Sequence, residues 1–189
     1  MIFDLRGLHL GDVLLAMPAM RVGDGVVVGE QHRVPGAPVA WLEAGQGVCV
    51  SPRGHRTAAW LLATERDPVR HALLPPVRKE LLVIAPDVEL PRKRWHGWAE
   101  LGRLLPHAVW VAAGLARAAW MDLLNRAHTV VCPDTGTAHM ADALGCPRVV
   151  GLYGQDFAAF APFWCRDYCV ARPGMAQITL DDVLGAVHG

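Results

Sequence analysis

The 189-residue chain has no excess charge of either sign, since 18 Lys and Arg offset 18 Asp and Glu. Proteins that hold nucleic acid through its phosphates carry a basic excess, so this balance argues against a general nucleic-acid binder. No apolar run approaches the roughly 18 residues of a membrane span. Asp4 interrupts the N-terminal stretch where a signal peptide would turn from basic to purely apolar. The five cysteines are odd in number and lack zinc-finger spacing, which speaks against a disulfide framework and for a reducing compartment. Cys165 and Cys169 stand four apart and form no zinc pattern. The expectation is a cytoplasmic protein with no metal and no transmembrane segment. Nothing in the sequence indicates its oligomeric state.

What is present supports a packed core. Hydrophobic residues make up 52% and charged residues 19%, with a mean hydropathy of +0.23, a balance unlike that of a disordered chain. Short apolar runs alternate with segments of 3.6-residue period, the pattern of β-α-β units around a mostly parallel sheet. The fold class is therefore α/β. In the first half, strands are predicted at 1–5, 25–28 and 48–50 and helices at 12–21 and 57–66. Glycine and proline dominate residues 29–47, and no element can be assigned there. The segment Leu74, Pro75, Pro76, Val77, Arg78, Lys79, Glu80 has the proline pair and charges of a linker, since neither proline can donate to a sheet ladder. It divides the chain into residues 1–75 and 76–189.

The second half reads more clearly. Strands are predicted at 81–85, 108–113, 129–132 and 148–153, and helices at 98–105, 116–127 and 137–144. At the end of the chain Thr179 is a plausible N-cap, with Asp181 and Asp182 suited to a first helical turn. Such doubly wound sheets bind ligands at the carboxyl ends of their strands.

The segment VVCPDTGTAHMADALGCPRVVGLYG, residues 130–154, joins a buried strand, a polar turn, a short helix and a second buried strand. Free N–H groups at the helix start, backed by the macrodipole, can take an anion, and Gly136 lets a phosphate come close. The hydroxyls of Thr135 and Thr137 can add donors. The same Asp134, Thr135 and Thr137 are also preferred capping residues, and both roles can coexist. His139, four residues after Thr135, suits either a structural hydrogen bond or proton transfer. Lys93, within the run Arg92, Lys93, Arg94, is a solvated loop charge unless an anion lies near it. Trp95 and Trp98, at the start of a helix, read as core anchors before they read as stacking faces.

Together these strings resemble glycosyltransferase family 9, the heptosyltransferases. PDTGTAHMADALGCPRVVGLYG is similar to that family's acidic residue, Ser or Thr, Gly, two positions, His, Ala-rich helix, Gly-x-Pro and glycine-ended strand. LRGLHLGDVLLAMPAMR, residues 5–21, is similar to its opening strand, Gly-Asp-Val-Leu and proline-containing helix. LVIAPDVELPRKRWHGWAELGRLL, residues 82–105, carries its Lys-x-Trp in register at Lys93 and Trp95. The resemblance covers nearly all of the second half and about twenty residues of the first.

The resemblance implies a GT-B-like fold of two Rossmann-like lobes. Residues 1–75 would be a much reduced acceptor-side lobe, and residues 76–189 the lobe that binds a nucleotide sugar. It implies sugar transfer from a nucleotide-diphosphate donor to an acceptor hydroxyl, independent of metal and with inversion. The donor is a co-substrate, and no cofactor is implied. Asp12 matches the catalytic carboxylate at an interdomain cleft, where it would take the acceptor's proton as general base. Lys93 would neutralise the departing diphosphate, with Arg92 or Arg94 assisting. Gly11, Arg94, Asp134, Thr135, Gly136, Thr137 and His139 would hold the donor's diphosphate. The chain has no Asp-x-Asp motif of the kind that bridges a diphosphate through a metal in GT-A enzymes.

Two departures stand out. The acceptor-side lobe is short for the family. After the strand predicted at 108–113 the family places a glutamate that contacts the nucleoside, whereas Gly114, Leu115, Ala116, Arg117, Ala118 offers no acid. The acceptor could be a saccharide or a hydroxylated nucleobase in DNA. Two alternatives are a non-catalytic module that binds a nucleotide or another partner, and an epimerase or hydrolase of the same architecture.

Overall fold

In the computed structural model the described residues are 2–4, 14, 17, 24–27, 40–42, 73–155 and 157–189. They fall into two units, Met1–Pro75 and Pro76–Gly189. In the first unit β1 (Ile2–Asp4), β2 (Gly25–Val27) and β3 (Ala40–Leu42) form a parallel sheet in that order, with Phe3 opposite Val26 and Val26 opposite Trp41. Leu14 and Met17, inside the helix predicted at 12–21, are buried, and Leu14 is helical. Strand β3 lies in the glycine- and proline-rich stretch where no element was assigned. The strand predicted at 48–50 and the helix predicted at 57–66 lie outside the described residues, as do Gly11 and Asp12.

The second unit is built on β6 (Ala127–Pro133) and β7 (Arg148–Tyr153), whose runs AHTVVCP and RVVGLY are buried almost throughout. Strands with apolar residues on both faces need layers on both sides, which is the environment of a parallel sheet between helices. Around them lie β4 (Leu81–Ile84), β5 (Val109–Trp110) and β8 (Val170–Ala171), all parallel, in the order β5-β4-β6-β7-β8. The helices are α1 (Trp98–Leu104), α2 (Arg117–Asn125), α3 (Gly136–Ala143), α4 (Phe157–Phe160) and α5 (Leu180–His188). Helix α1 packs with α5, and α2 with α3. Right-handed crossovers account for α1 lying on one face and α2 and α3 on the other, because β4-α1-β5 steps one way across the sheet while β5-α2-β6 and β6-α3-β7 step the other; α5, which follows the last strand, packs on the α1 side. Ile84, Leu101, Val150, Leu152, Val183 and Val187 are central to one continuous core cluster.

Strand β5 is shorter than the predicted 108–113. It is an edge strand with Val109 and Trp110 both exposed, so apolar content there does not report burial on two faces. Helix α3 starts one residue before the predicted Thr137, with Thr135 as N-cap. It ends on Gly145, whose φ of 73° suits glycine. The Gly145 N–H donates to the Asp142 carbonyl at 3.0 Å and the Cys146 N–H to the Ala141 carbonyl at 2.9 Å, a Schellman ending. Lys79, read as a linker charge, closes two helix ends: its Nζ donates to the carbonyls of Asn125 at 2.5 Å and Leu144 at 2.9 Å. A cation is favoured there by the negative ends of α2 and α3.

The predicted N-cap at Thr179 is present. Its Oγ1 accepts from the Asp182 N–H at 3.1 Å, and the Asp182 carboxylate accepts from the Thr179 N–H at 2.9 Å, a reciprocal capping box. The backbone N–H of Thr179, followed by its hydroxyl and by nearby Arg172, holds the Asp182 carboxyl below its ordinary value. A depressed carboxyl contributes stability above its unfolded-state value and loses it as pH falls through the folded one. Thr179→Ala should destabilise the protein by about 1 kcal/mol in denaturant titration near neutral pH. The gap from wild type should narrow on acidification below the ordinary carboxylate range.

Candidate functional site

Strand order reverses between β4 and β6. The chain leaving β4 crosses towards β5, and the chain leaving β6 crosses towards β7. At such a switch point the carboxyl ends of the two strands are left uncovered and a ligand crevice opens. Lys93 comes from the loop after β4, in the 3-10 turn Pro91–Lys93, and Asp134 follows the last residue of β6. Lys93 Nζ lies 2.5 Å from Asp134 Oδ2 and donates to the Asp134 backbone carbonyl at 3.1 Å. The Asp134 side chain is 9% exposed and that of Lys93 27%, so the pair is screened less than a surface ion pair.

A pocket opens over this pair. Arg92 and Lys93 line it from the β4 exit, Asp134 from β6, Gly154 and Gln155 from β7, and Gly174 and Met175 from β8. Four neighbouring strands thus contribute at their carboxyl ends. Gly154 makes the close fit of the last two walls possible. A Cβ added there would lie 2.7 Å from the Met175 amide nitrogen and 3.2 Å from the Gly174 carbonyl carbon.

Beside the pair stands the start of α3. The first N–H groups of a helix have no carbonyl within it to take them. The Ala138 N–H turns back to the Thr135 carbonyl at 3.1 Å, which leaves the N–H groups of Gly136 and Thr137 at the tip. Nothing lies within 4 Å of a Cβ built on Gly136. The Thr135 hydroxyl donates to the Pro133 carbonyl at 3.3 Å and caps no helical N–H. It is therefore turned into the loop, a different use from the outward donor expected of it. Asp134, the residue before that N-cap, pairs through its carboxylate with Lys93.

The remaining predicted residues divide. His139 is buried, at 7% exposure, within α3. Thr137 is half-buried in the first turn. Arg94 is exposed and lies outside the pocket lining, whereas its neighbour Arg92 is in it. Arg92 was an assisting candidate and Gly154 the glycine that ends the family-like string, whereas Gln155, Gly174 and Met175 carried no sequence signal of function. Gly11 and Asp12 lie outside the described residues.

Trp95 is an anchor, as its position suggested. It is 5% exposed, its Nε1 donates to the Ile178 carbonyl at 2.8 Å, and its ring meets that of Trp98 edge-on with centroids 5.0 Å apart. The four described cysteines are unbridged. Burial pushes the Cys132 thiol well up, Cys146 up to about 11 and Cys169 up to about 12. These thiols stay protonated at neutral pH and are poor nucleophiles. Among the described residues no group of three or more His, Cys, Asp or Glu could hold a metal ion, and no helix is long and apolar enough to cross a membrane.

Residues 107–173 match the sequence model of glycosyltransferase family 9 (heptosyltransferase). This span includes β6, α3 and β7 together with Asp134. The family 9 resemblance is borne out. The match supports a glycosyltransferase as the enzyme class. No curated protein matches the chain in sequence. Among solved structures, a family 9 glycosyl transferase from Veillonella parvula DSM 2008 aligns with a TM-score of 0.65 at 11% identity, over 90% of this chain and 85% of that one. Escherichia coli heptosyltransferase WaaC, with ADP-2-deoxy-2-fluoro heptose, aligns at 0.66 and 13% identity over 100% of this chain and 99% of that one. The iron-containing dodecameric glycosyltransferase TibC from enterotoxigenic E. coli H10407 gives 0.68 and 14% identity over 99% and 74%. At these identities the likeness establishes the fold, and the α/β, GT-B-like class read from the sequence holds.

Gly154→Ala tests the pocket's construction. Because the atom it meets is backbone, the two walls must separate, and stability should fall by about 1–3 kcal/mol, read as a lowered unfolding midpoint.

Proposed function

We propose that the protein transfers a sugar from a nucleotide-diphosphate donor to an acceptor hydroxyl, without a metal and with inversion at the anomeric carbon. The observation that carries this reading is the Lys93–Asp134 pair at the switch point of the parallel sheet, beside the open start of α3. As the glycosidic bond breaks, negative charge grows on the diphosphate. A lysine and helix-terminal N–H groups set in advance at that place stabilise it. Gly136 admits the phosphate, and Thr137 contributes its N–H. Asp134 orients Lys93 and offers its carboxylate to a sugar hydroxyl, and Arg94 supplies positive potential from the same loop. Thr135 and His139 hold the turn and helix on which the diphosphate rests.

Asp12, with Gly11 in the same motif, is assigned the other half of the chemistry. Its carboxylate takes the proton of the acceptor hydroxyl as the oxygen attacks the anomeric carbon from the side opposite the leaving diphosphate. The solved structures include WaaC with ADP and with ADP-2-deoxy-2-fluoro heptose, and TibC in complex with ADP-D-β-D-heptose. An adenosine diphosphate sugar is accordingly the first donor to try. Residues 76–189 would then be the donor lobe and residues 1–75 the acceptor side, acting in the cytoplasm where such donors are made.

The test is nucleotide release from ADP-, UDP- and GDP-sugars with saccharide acceptors and with DNA containing a hydroxylated base. Wild type should release nucleotide from at least one donor. Asp12→Asn should lower kcat by about 100-fold or more with little change in donor affinity. Lys93→Gln should lower kcat and weaken donor binding together, with the unfolding midpoint measured alongside, since it leaves Asp134 without its cation. Binding without turnover by any donor and acceptor would replace this reading with that of a binding module. Absence of binding would overturn it.

A further inference from the structure

Lys93 and Asp134 satisfy one another, and this changes which groups of the pocket are available to a ligand. The carboxylate holds Lys93 at 2.5 Å and the backbone carbonyl of the same residue holds it at 3.1 Å. Arg92 and Gln155 also line the pocket, and both are exposed. Among the described residues neither makes an ion pair or a side-chain hydrogen bond. A guanidinium presents five N–H donors in a planar fork that fits phosphate, and a glutamine amide both donates and accepts.

The rest of the lining says which part of a nucleotide sugar fits. A nucleobase is held by a flat apolar or aromatic face. This pocket offers two glycines and, as its one apolar side chain, buried Met175. The nearest tryptophans in sequence are occupied, Trp95 buried with its edge bonded to Ile178 and Trp98 set against it. What remains is a carboxylate, an amide and two cations around a small opening. Such a set suits a hydroxylated ring joined to phosphate. A carboxylate and a neutral amide take hydroxyl groups from two sides, and cations take the phosphate next to them.

We propose that Gln155 is a specificity-determining residue that reads a hydroxyl of the donor's sugar, and that Arg92, in preference to its neighbour Arg94, is the cation that first takes the adjoining phosphate. This rests on the reading of the pocket as a nucleotide-sugar site. It gives the two residues separable signatures. Gln155 distinguishes a nucleotide sugar from the bare nucleoside diphosphate, and Arg92 does not.

The experiment compares binding of ADP-, UDP- and GDP-sugars, and of the three free nucleoside diphosphates, to wild type, Gln155→Ala, Arg92→Gln and Arg94→Gln by calorimetry. All three positions are exposed, and unchanged unfolding midpoints will verify the fold. Gln155→Ala should weaken the preferred nucleotide sugar about 3- to 10-fold and leave its nucleoside diphosphate unchanged. Arg92→Gln should weaken both about 10- to 100-fold, and Arg94→Gln less than 3-fold. Donor sugars epimeric at a single carbon should be discriminated less well by Gln155→Ala than by wild type. Equal weakening of both ligands by Gln155→Ala, or a larger effect at Arg94 than at Arg92, would overturn the proposal while leaving the site's identity intact. Failure of wild type to bind any nucleotide sugar would instead remove the reading on which it rests.

Discussion

The handedness of crossovers between parallel strands is the constraint on which the second unit depends. A right-handed connection that steps towards β5 must place its helix on one face, and one that steps towards β7 must place it on the other. Because β4 and β6 are neighbours in the sheet, the chain departs to opposite faces where they end, and no helix covers their carboxyl ends. The crevice is therefore a product of topology before any functional side chain is considered. The register of the two strands, with Ile84 opposite Val131, then sets the β4 exit loop beside the turn that opens α3, and Lys93 meets Asp134 across it.

A carboxylate as buried as that of Asp134 is costly unless paired. Lys93 supplies the pair, and in the same contact its ammonium is held by the Asp134 carbonyl. The loop after β4 is thus tied to the end of β6 by charge. The contact also has a chemical consequence. Held by two oxygens of Asp134, the ammonium is fixed ahead of any ligand, so on the proposed reading the lysine needs no search through its rotamers. Such preorganisation is what makes an electrostatic contribution effective in a site.

The sequence revealed those parts of the molecule whose physics is local. The buried runs of β6 and β7 read as strands because continuous apolar residues have few other uses. The helix predicted at 137–144 lies within one residue of α3 at each end, and the start of α5 read correctly from Thr179 with Asp181 and Asp182, because a cap is decided within a few residues. Lys93 and Asp134 were singled out separately, yet no local pattern joins residues that far apart. Their meeting depends on the pairing of β4 with β6. Of the remaining walls Gly154 stood at the end of a quoted string, but that it joins Gln155, Gly174 and Met175 was illegible for a similar reason. They lie on loops after β7 and after the two-residue β8, and they form one surface only because those strands are neighbours. Strand β5 was drawn too long, since Val109 and Trp110 are apolar but sit at an edge. Thr135 was misread in its detail: a hydroxyl near a helix start can face the helix or the loop behind it, and here it bonds Pro133.

The Lys-x-Trp string shows why the two residues belong together. Lys93 lies on a loop, where a four-carbon side chain would ordinarily lose its position to conformational entropy. Two residues on, Trp95 is locked in the core by its hydrogen bond to Ile178 and its contact with Trp98. Gly97 keeps the next turn of chain against the Trp95 ring, since a Cβ there would lie 2.3 Å from it. The loop is consequently fixed at its rear by an apolar anchor and at its front by an ion pair, with only Arg94 between them. Trp95 thus works through packing, and its face is withheld from any ligand. The charge can then be placed accurately on a segment that has no regular structure beyond the single turn Pro91–Lys93.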